Sequence, residues 1–172
     1  TFSSLRSSFF KAEHPWFGAT FTYYIKEAPK TKKETRQEKE KELVKENKPV
    51  DYPAWDDLRA EDREEKSYLL FVVSDEQGNV VRKLKDGIKQ GINRISWDLR
   101  YADTNPVKSV TDKNESGTPV IPGKYSVEMF MSIDGVISKI AGPETFEAKV
   151  LQNTTLPAED RAALVAFQKE FW

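Results

Sequence analysis

Between Lys26 and Lys66 the chain is mostly charge, and this segment limits where a core can be built. Of its 41 residues, 25 are Lys, Arg, Asp or Glu and 9 are apolar, against 56 apolar residues among the other 131. Burial of apolar surface drives folding, so the core must come from the flanks. Within the segment, Lys30 to Lys48 has neither Gly nor Pro and is rich in Lys, Glu, Arg and Gln. Those are good helix formers. Opposite charges three residues apart at Glu38/Lys41, Lys39/Glu42 and Glu42/Lys45 support the same reading. Leu43 and Val44 are its only large apolar residues, which predicts a helix lying on the surface or bridging domains. The mixed signs favour a solvated face over a binding arm. Pro49 and Pro53 interrupt it, and Ala54 to Glu65 reads as a second, short helix anchored by Trp55 and Leu58.

The flanks alternate with period two, as half-buried strands do. Phe17, Ala19, Phe21, Tyr23 and Ile25 share one face, with Thr20, Thr22 and Tyr24 opposite. Tyr68 to Val73 is apolar on both faces and predicts a central strand. The turn chemistry of Asp75 to Asn79 leads into Val80 to Lys85 as its hairpin partner. Gly91 to Leu99 places Ile95, Trp97 and Leu99 together. Tyr125, Val127, Met129, Met131 and Ile133 alternate against Ser126, Glu128 and Ser132. Asp134-Gly135 predicts a two-residue hairpin turn into Val136 to Ile140, and Phe146, Ala148 and Val150 form a last strand. About seven short antiparallel strands argue for a β-sandwich. After them, Pro157, Glu159 and Asp160 open an amphipathic helix with Leu164, Phe167 and Phe171 on one face.

Composition narrows the chemistry. A chain of 172 residues with a net charge of -1 is one domain with appendages and carries no bulk electrostatic case for nucleic acid. No apolar run is long enough to span a membrane. With no cysteine and one histidine, thiolate chemistry and most histidine-based sites are excluded. His14 has no serine nucleophile motif to serve and reads as a linker residue. Asp56, Asp57, Glu61, Asp62, Glu64 and Glu65 lack the glycine-bearing turn of a calcium loop. Asp103, Asn105, Asp112, Asn114 and Glu115, between Tyr101 and Pro122, are a better oxygen set, but a plain loop is the simpler reading. Glu128 and Glu147 are expected on the solvent side of different hairpins, which is not the facing pair of a glycosidase. Asn114-Glu115-Ser116 and Asn153-Thr154-Thr155 match a short glycosylation pattern that arises often by chance. No cofactor or metal is expected.

Three segments carry a resemblance. Asp75-Glu76-Gln77-Gly78-Asn79-Val80-Val81-Arg82-Lys83-Leu84 resembles the hairpin signature of the immunoglobulin-like module of flagellar hook-cap scaffold proteins and many secreted bacterial proteins. Gly91-Ile92-Asn93-Arg94-Ile95-Ser96-Trp97-Asp98 is similar to its tryptophan strand, and Gly117 to Val127, with Gly123-Lys124-Tyr125, to its final glycine-tyrosine strand. Trp16 to Glu27 and Trp97-Asp98-Leu99-Arg100-Tyr101 further resemble the C-terminal region of large secreted Asp-box (BNR-repeat, sortilin-like) propeller proteins, often labelled glycosyl hydrolases. No Ser-x-Asp-x-Gly-x-Thr-x-Trp box occurs here, so any propeller and its active site would lie outside these residues.

The resemblance implies an immunoglobulin or fibronectin III-like antiparallel β-sandwich over 17–151, with a charged helical insertion at about 29–66. Residues 1–16 would be a linker or the tail of a preceding domain, and 152–172 the start of a helical segment. The chain, opening on Thr1 and stopping inside a helical pattern at Trp172, is expected to be a piece of a longer polypeptide. Gly78, Trp97, Asp98, Gly123 and Tyr125 form the structural signature, with positive φ expected at Gly78 and Gly123. Trp16, Trp55 and Tyr101 are candidate ligand or interdomain contacts. The expected function is a non-catalytic structural or interaction module that braces or presents a propeller at the cell envelope. Its partners would be the preceding propeller domain and an envelope protein or glycan, in a secreted, periplasmic or outer-envelope setting. The alternative is a carbohydrate-binding accessory module.

Overall fold

The computed structural model describes residues 17–102, 116–150 and 160–171. Along them run β1 (Ala19–Ile25), α1 (Lys32–Lys45), α2 (Trp55–Asp62), β2 (Tyr68–Asp75), β3 (Val80–Gly87), β4 (Gly91–Trp97), β5 (Arg100–Ala102), β6 (Ser116–Pro119), β7 (Gly123–Ile133), β8 (Val136–Ala148) and α3 (Arg161–Phe171). The fold is mainly β and every pairing is antiparallel. Four strands form one sheet in the order β3-β2-β7-β8, while β1 pairs with β4 and β5 with β6.

The continuous apolar run of β2 lies between β3 and β7, with Leu69, Phe71 and Val73 buried. This is the central position that a strand apolar on both faces requires. From β1, Phe21 meets Phe146 of β8 edge-on at 5.3 Å, and Tyr23 meets Phe71 at 5.0 Å. From β4, Trp97 lies 5.4 Å from Tyr125 and 6.0 Å from Phe146. Each such ring pair adds about 0.5–1.5 kcal/mol beyond its area. Aromatic rings thus reach from the β1–β4 pair to the four-stranded sheet, beside buried Ile25 and half-buried Ile95.

The predicted turn forms as its residues dictate. The Asp75 carboxylate accepts the Gln77 and Asn79 amides at 3.0 and 2.8 Å, and Gly78 takes φ +83°. Asp134 and Gly135 take φ of 48° and 79°, as a tight hairpin turn demands.

Several expectations need correction. Gly123 does not adopt positive φ; it opens β7 in ordinary extended backbone. Leu99 is not in line with Ile95 and Trp97, because β4 ends at Trp97 and Leu99 itself has φ +57°. Phe17 precedes β1 and is exposed. The segments 136–140 and 146–150 are not two strands: β8 runs unbroken from Val136 to Ala148 and absorbs Gly142-Pro143 in an irregularity opposite Val127–Phe130. A Cβ on Gly142 would fall 2.6 Å from the Val127 carbonyl oxygen, so only glycine lets the two backbones approach there. Ser132 is 2% exposed although it faces away from the core, a small side chain between its cross-strand partners Tyr68 and Ile137. Ile133, at the strand end beside the turn, is 40% exposed. In α3 the anchor is Val165, buried among residues that include Leu99, Val120, Ile121 and Ala148, while Leu164 and Phe167 stay exposed. Asp160 caps that helix through the Ala163 amide at 2.8 Å. Pro157 and Glu159 lie outside the described residues.

Trp97 is fully buried, and its indole N–H donates to the Arg100 carbonyl at 2.9 Å. Trp97→Ala is expected to cost roughly 3–5 kcal/mol by cavity formation, measured by urea denaturation. A loss below about 1 kcal/mol, the scale of a surface substitution, would remove Trp97 from the centre of the core.

Candidate interaction surface

Neither α1 nor α2 contains a buried residue. The pair is held by charge. Thr31 and Glu34 form a reciprocal capping box at the start of α1, with the Glu34 amide donating to the Thr31 hydroxyl at 3.1 Å and the Thr31 amide to the Glu34 carboxylate at 2.9 Å. Arg36 grips Glu61 of α2 bidentately at 2.6 and 3.0 Å and also reaches Glu40 at 2.6 Å. These pairs form in place of the i,i+3 pairs expected from spacing. Arg36, next to Glu61, holds that carboxyl below its ordinary pKa.

The base of this helical hairpin is tied to the β7–β8 turn. Lys32 Nζ reaches Asp134 at 2.6 Å, the Glu65 amide donates to the other Asp134 oxygen at 3.1 Å, and the Lys32 amide donates to Glu64 at 2.8 Å. Lys32 first, then the Glu65 amide, keeps the Asp134 carboxyl below its usual range. At the far end, Trp55 is 73% exposed and Tyr52 84% exposed, so Trp55 is not the anchor that its helical spacing implied. Leu58 is half-buried.

The other aromatic candidates lie elsewhere. Tyr101 packs against the core, and its carbonyl accepts a hydrogen bond from Arg82 at 2.9 Å. The structure therefore does not bring Tyr101 and Trp55 together as a platform. Trp16 and His14 fall outside the described residues, as do Asp103, Asn105, Asp112, Asn114 and Glu115 and the glycosylation asparagines Asn114 and Asn153. Asp98 accepts the Arg100 amide at 3.2 Å, closing the turn after β4.

Glu128 and Glu147 belong to one hairpin, β7–β8, and not to different ones. Glu128 is ion-paired with Lys139, and Glu147 with Lys149 at 3.0 Å. Glu147 lies opposite Lys124, four residues along β7 from Glu128, or about 13 Å of strand. That exceeds the separation of a glycosidase pair. Among the described residues no three His, Cys, Asp or Glu side chains gather as a metal site, and no helix is long and apolar enough to cross a membrane.

Two tyrosines are perturbed. Tyr23 is pushed up to about 12, first by burial and then by its 2.9 Å hydrogen bond to Asp86. Tyr125, buried and donating to the Ile121 carbonyl, is also pushed up to about 12, by burial first and by Tyr101 and Asp75 after it.

No protein-family model, no curated protein and no solved structure matches this chain.

Two measurements follow from this geometry. In an ultraviolet titration Tyr23 and Tyr125 are expected to ionise near pH 12. Because the fold raises both above the ordinary tyrosine value of about 10, their stabilising contribution is complete below that value. It is lost as pH rises through the folded one. Melts repeated with Tyr23→Phe should show a shallower alkaline decline. Separately, replacing residues 29–50 with a short Gly/Ser linker should leave the β-domain folded, since exposed ion pairs contribute about 0–1 kcal/mol each. A calorimetric midpoint lowered by only a few degrees is expected; failure to fold would make α1 a true layer of the domain.

Proposed function

We propose that the chain is a non-catalytic structural and interaction module of a larger exported bacterial protein. In this reading it is an immunoglobulin-like sandwich that braces or presents a β-propeller at the cell envelope. The observation that carries the reading is the meeting of Trp97 and Tyr125 in one core, since they come from two of the three segments that resemble the module. Tyr125 adds support, because its hydroxyl bonds back to the carbonyl of Ile121, four residues upstream. That is the arrangement of the tyrosine corner in sandwiches of this kind. The β1–β4 pair set against the four-stranded sheet supplies the two faces such a sandwich needs.

The carbohydrate-binding alternative loses Tyr101, which is half-buried against the core, and keeps Trp55 as an exposed aromatic.

The test is the parent polypeptide. Asp-box repeats are expected upstream of Thr1, and after proteolytic cleavage between the two parts the module should remain bound to the propeller on gel filtration. A different upstream fold, or clean separation of the parts, overturns the bracing role. The purified 172 residues are expected to release nothing from aryl glycosides, and turnover that persists through repurification would make the module an enzyme.

A further inference from the structure

The helical hairpin ends in a surface with one kind of chemistry. Residues 49–58 contain Asp51, Asp56 and Asp57 and no Lys or Arg. Asp56 makes one exposed 3.5 Å contact with Arg59, and Asp51 and Asp57 have no ion-pair partner among the described residues. Between these carboxylates stand Val50, Tyr52 and Trp55, all exposed. Single exposed apolar residues are ordinary. Three within six positions, with the tryptophan on the first turn of a helix, form a patch. The patch also stands away from the domain: the hairpin is anchored at Lys32 and Asp134, and α1 runs for 14 residues from there, or roughly 21 Å.

We propose that this patch docks a basic segment of a partner polypeptide, with Lys or Arg side chains stacking on Trp55 and Tyr52 and pairing with Asp51, Asp56 and Asp57. The charge pattern selects the occupant. Among the described residues the three carboxylates meet one cation, Arg59, and only through Asp56, so the patch is rich in acceptors, and Lys and Arg are the side chains that donate without accepting. Aromatic faces attract the same cations. A neutral glycan brings no charge to pair with the aspartates, so its binding would not weaken with salt as that of a cation does. The proposal rests on the interaction-module reading and names the partner's chemistry.

The test uses the full 172-residue chain, labelled with 15N and titrated with a capped twelve-residue peptide of alternating Arg and Ala. A matching Glu/Ala peptide serves as control. The expected result is a saturable shift of the Trp55 indole N–H with the basic peptide alone, weakening as salt is raised. By calorimetry, Tyr52→Ala and Trp55→Ala should each weaken binding roughly 2- to 5-fold, the scale of an exposed cation–π contact. Asp51→Asn with Asp56→Asn and Asp57→Asn should abolish the salt dependence. No indole shift, or binding indifferent to Tyr52→Ala and Trp55→Ala, overturns the proposal. So does a salt-independent shift of that indole by cellohexaose or chitohexaose, which would assign the patch to carbohydrate. If the peptide fails while the module still holds its preceding domain after cleavage, the patch assignment falls and the module reading stands. If the module also separates from that domain, both fall.

Discussion

The burial of the Trp97 indole is the constraint around which the β-domain is arranged. A fully buried N–H must find an acceptor or cost about 1–3 kcal/mol, and here the acceptor is the Arg100 carbonyl three residues on. For that carbonyl to turn back onto the ring, the chain must bend sharply after β4. Asp98 closes the bend by accepting the Arg100 amide, and Leu99 takes up the left-handed backbone. On the opposite strand Gly18, at φ +115°, lets the chain enter β1 against the Trp97 carbonyl, where a Cβ would lie 1.9 Å from the oxygen. The residues around the indole are thus fixed by its needs, and the rings of Tyr125 and Phe146 complete its enclosure.

The helical hairpin obeys other physics. Its two helices bury no residue fully, and Leu43 and Leu58 are only half-buried, so the area term that holds the β-domain together is small here. What replaces it is a capped helix start, the Arg36–Glu61 fork and the shared carboxylate of Asp134. The fork and the shared carboxylate are directional, fixing where the hairpin points more than how stable it is. Exposed pairs are weak singly, but the Arg36–Glu61 fork is part-buried and Asp134 receives both a lysine and a backbone amide, each stronger than a lone surface pair.

Much of this was legible because alternation is a direct image of a pleated strand. Phe21, Tyr23 and Ile25 of β1, the run of β2, and Trp97 and Tyr125 all point where period two sends them. The helix-forming run of Lys30 to Lys48 was equally readable, whereas its start at the Thr31–Glu34 capping box came from the structure. Other features depend on contacts distant in sequence. Gly142-Pro143 reads locally as a strand break, yet β8 continues through it because β7 supplies partners on both sides. Ser132 reads as a solvent position and is buried by its cross-strand neighbours. Trp55 reads as an anchor beside Leu58 since a helix ought to bury its largest apolar face, but only Leu58 is half-buried, and the ion pair of Glu61 with Arg36 fastens the helix with it. Val165, rather than Leu164 or Phe167, is the buried residue of α3 among those described. Helical spacing alone does not say which edge of an apolar stripe will be covered.

These two regimes respond differently to solution conditions, and that difference bears on what the hairpin is for. Denaturant acts on buried area and therefore on the aromatic core. Salt acts on exposed charge within a Debye length of about 8 Å at physiological strength, and therefore on the hairpin and its attachment. Asp134 and Glu61 have folded pKa values below their ordinary ones, so their contribution is fully present above about pH 4 and fades only as pH falls through the lower folded values. At neutral pH the attachment is at full strength, and ionic strength is the condition that tunes it. The appendage adds little to the core, yet it is held in one direction by a bidentate fork and a doubly bonded carboxylate. At its far end are exposed Tyr52 and Trp55, beside Asp51 and Asp57, which have no ion-pair partner among the described residues.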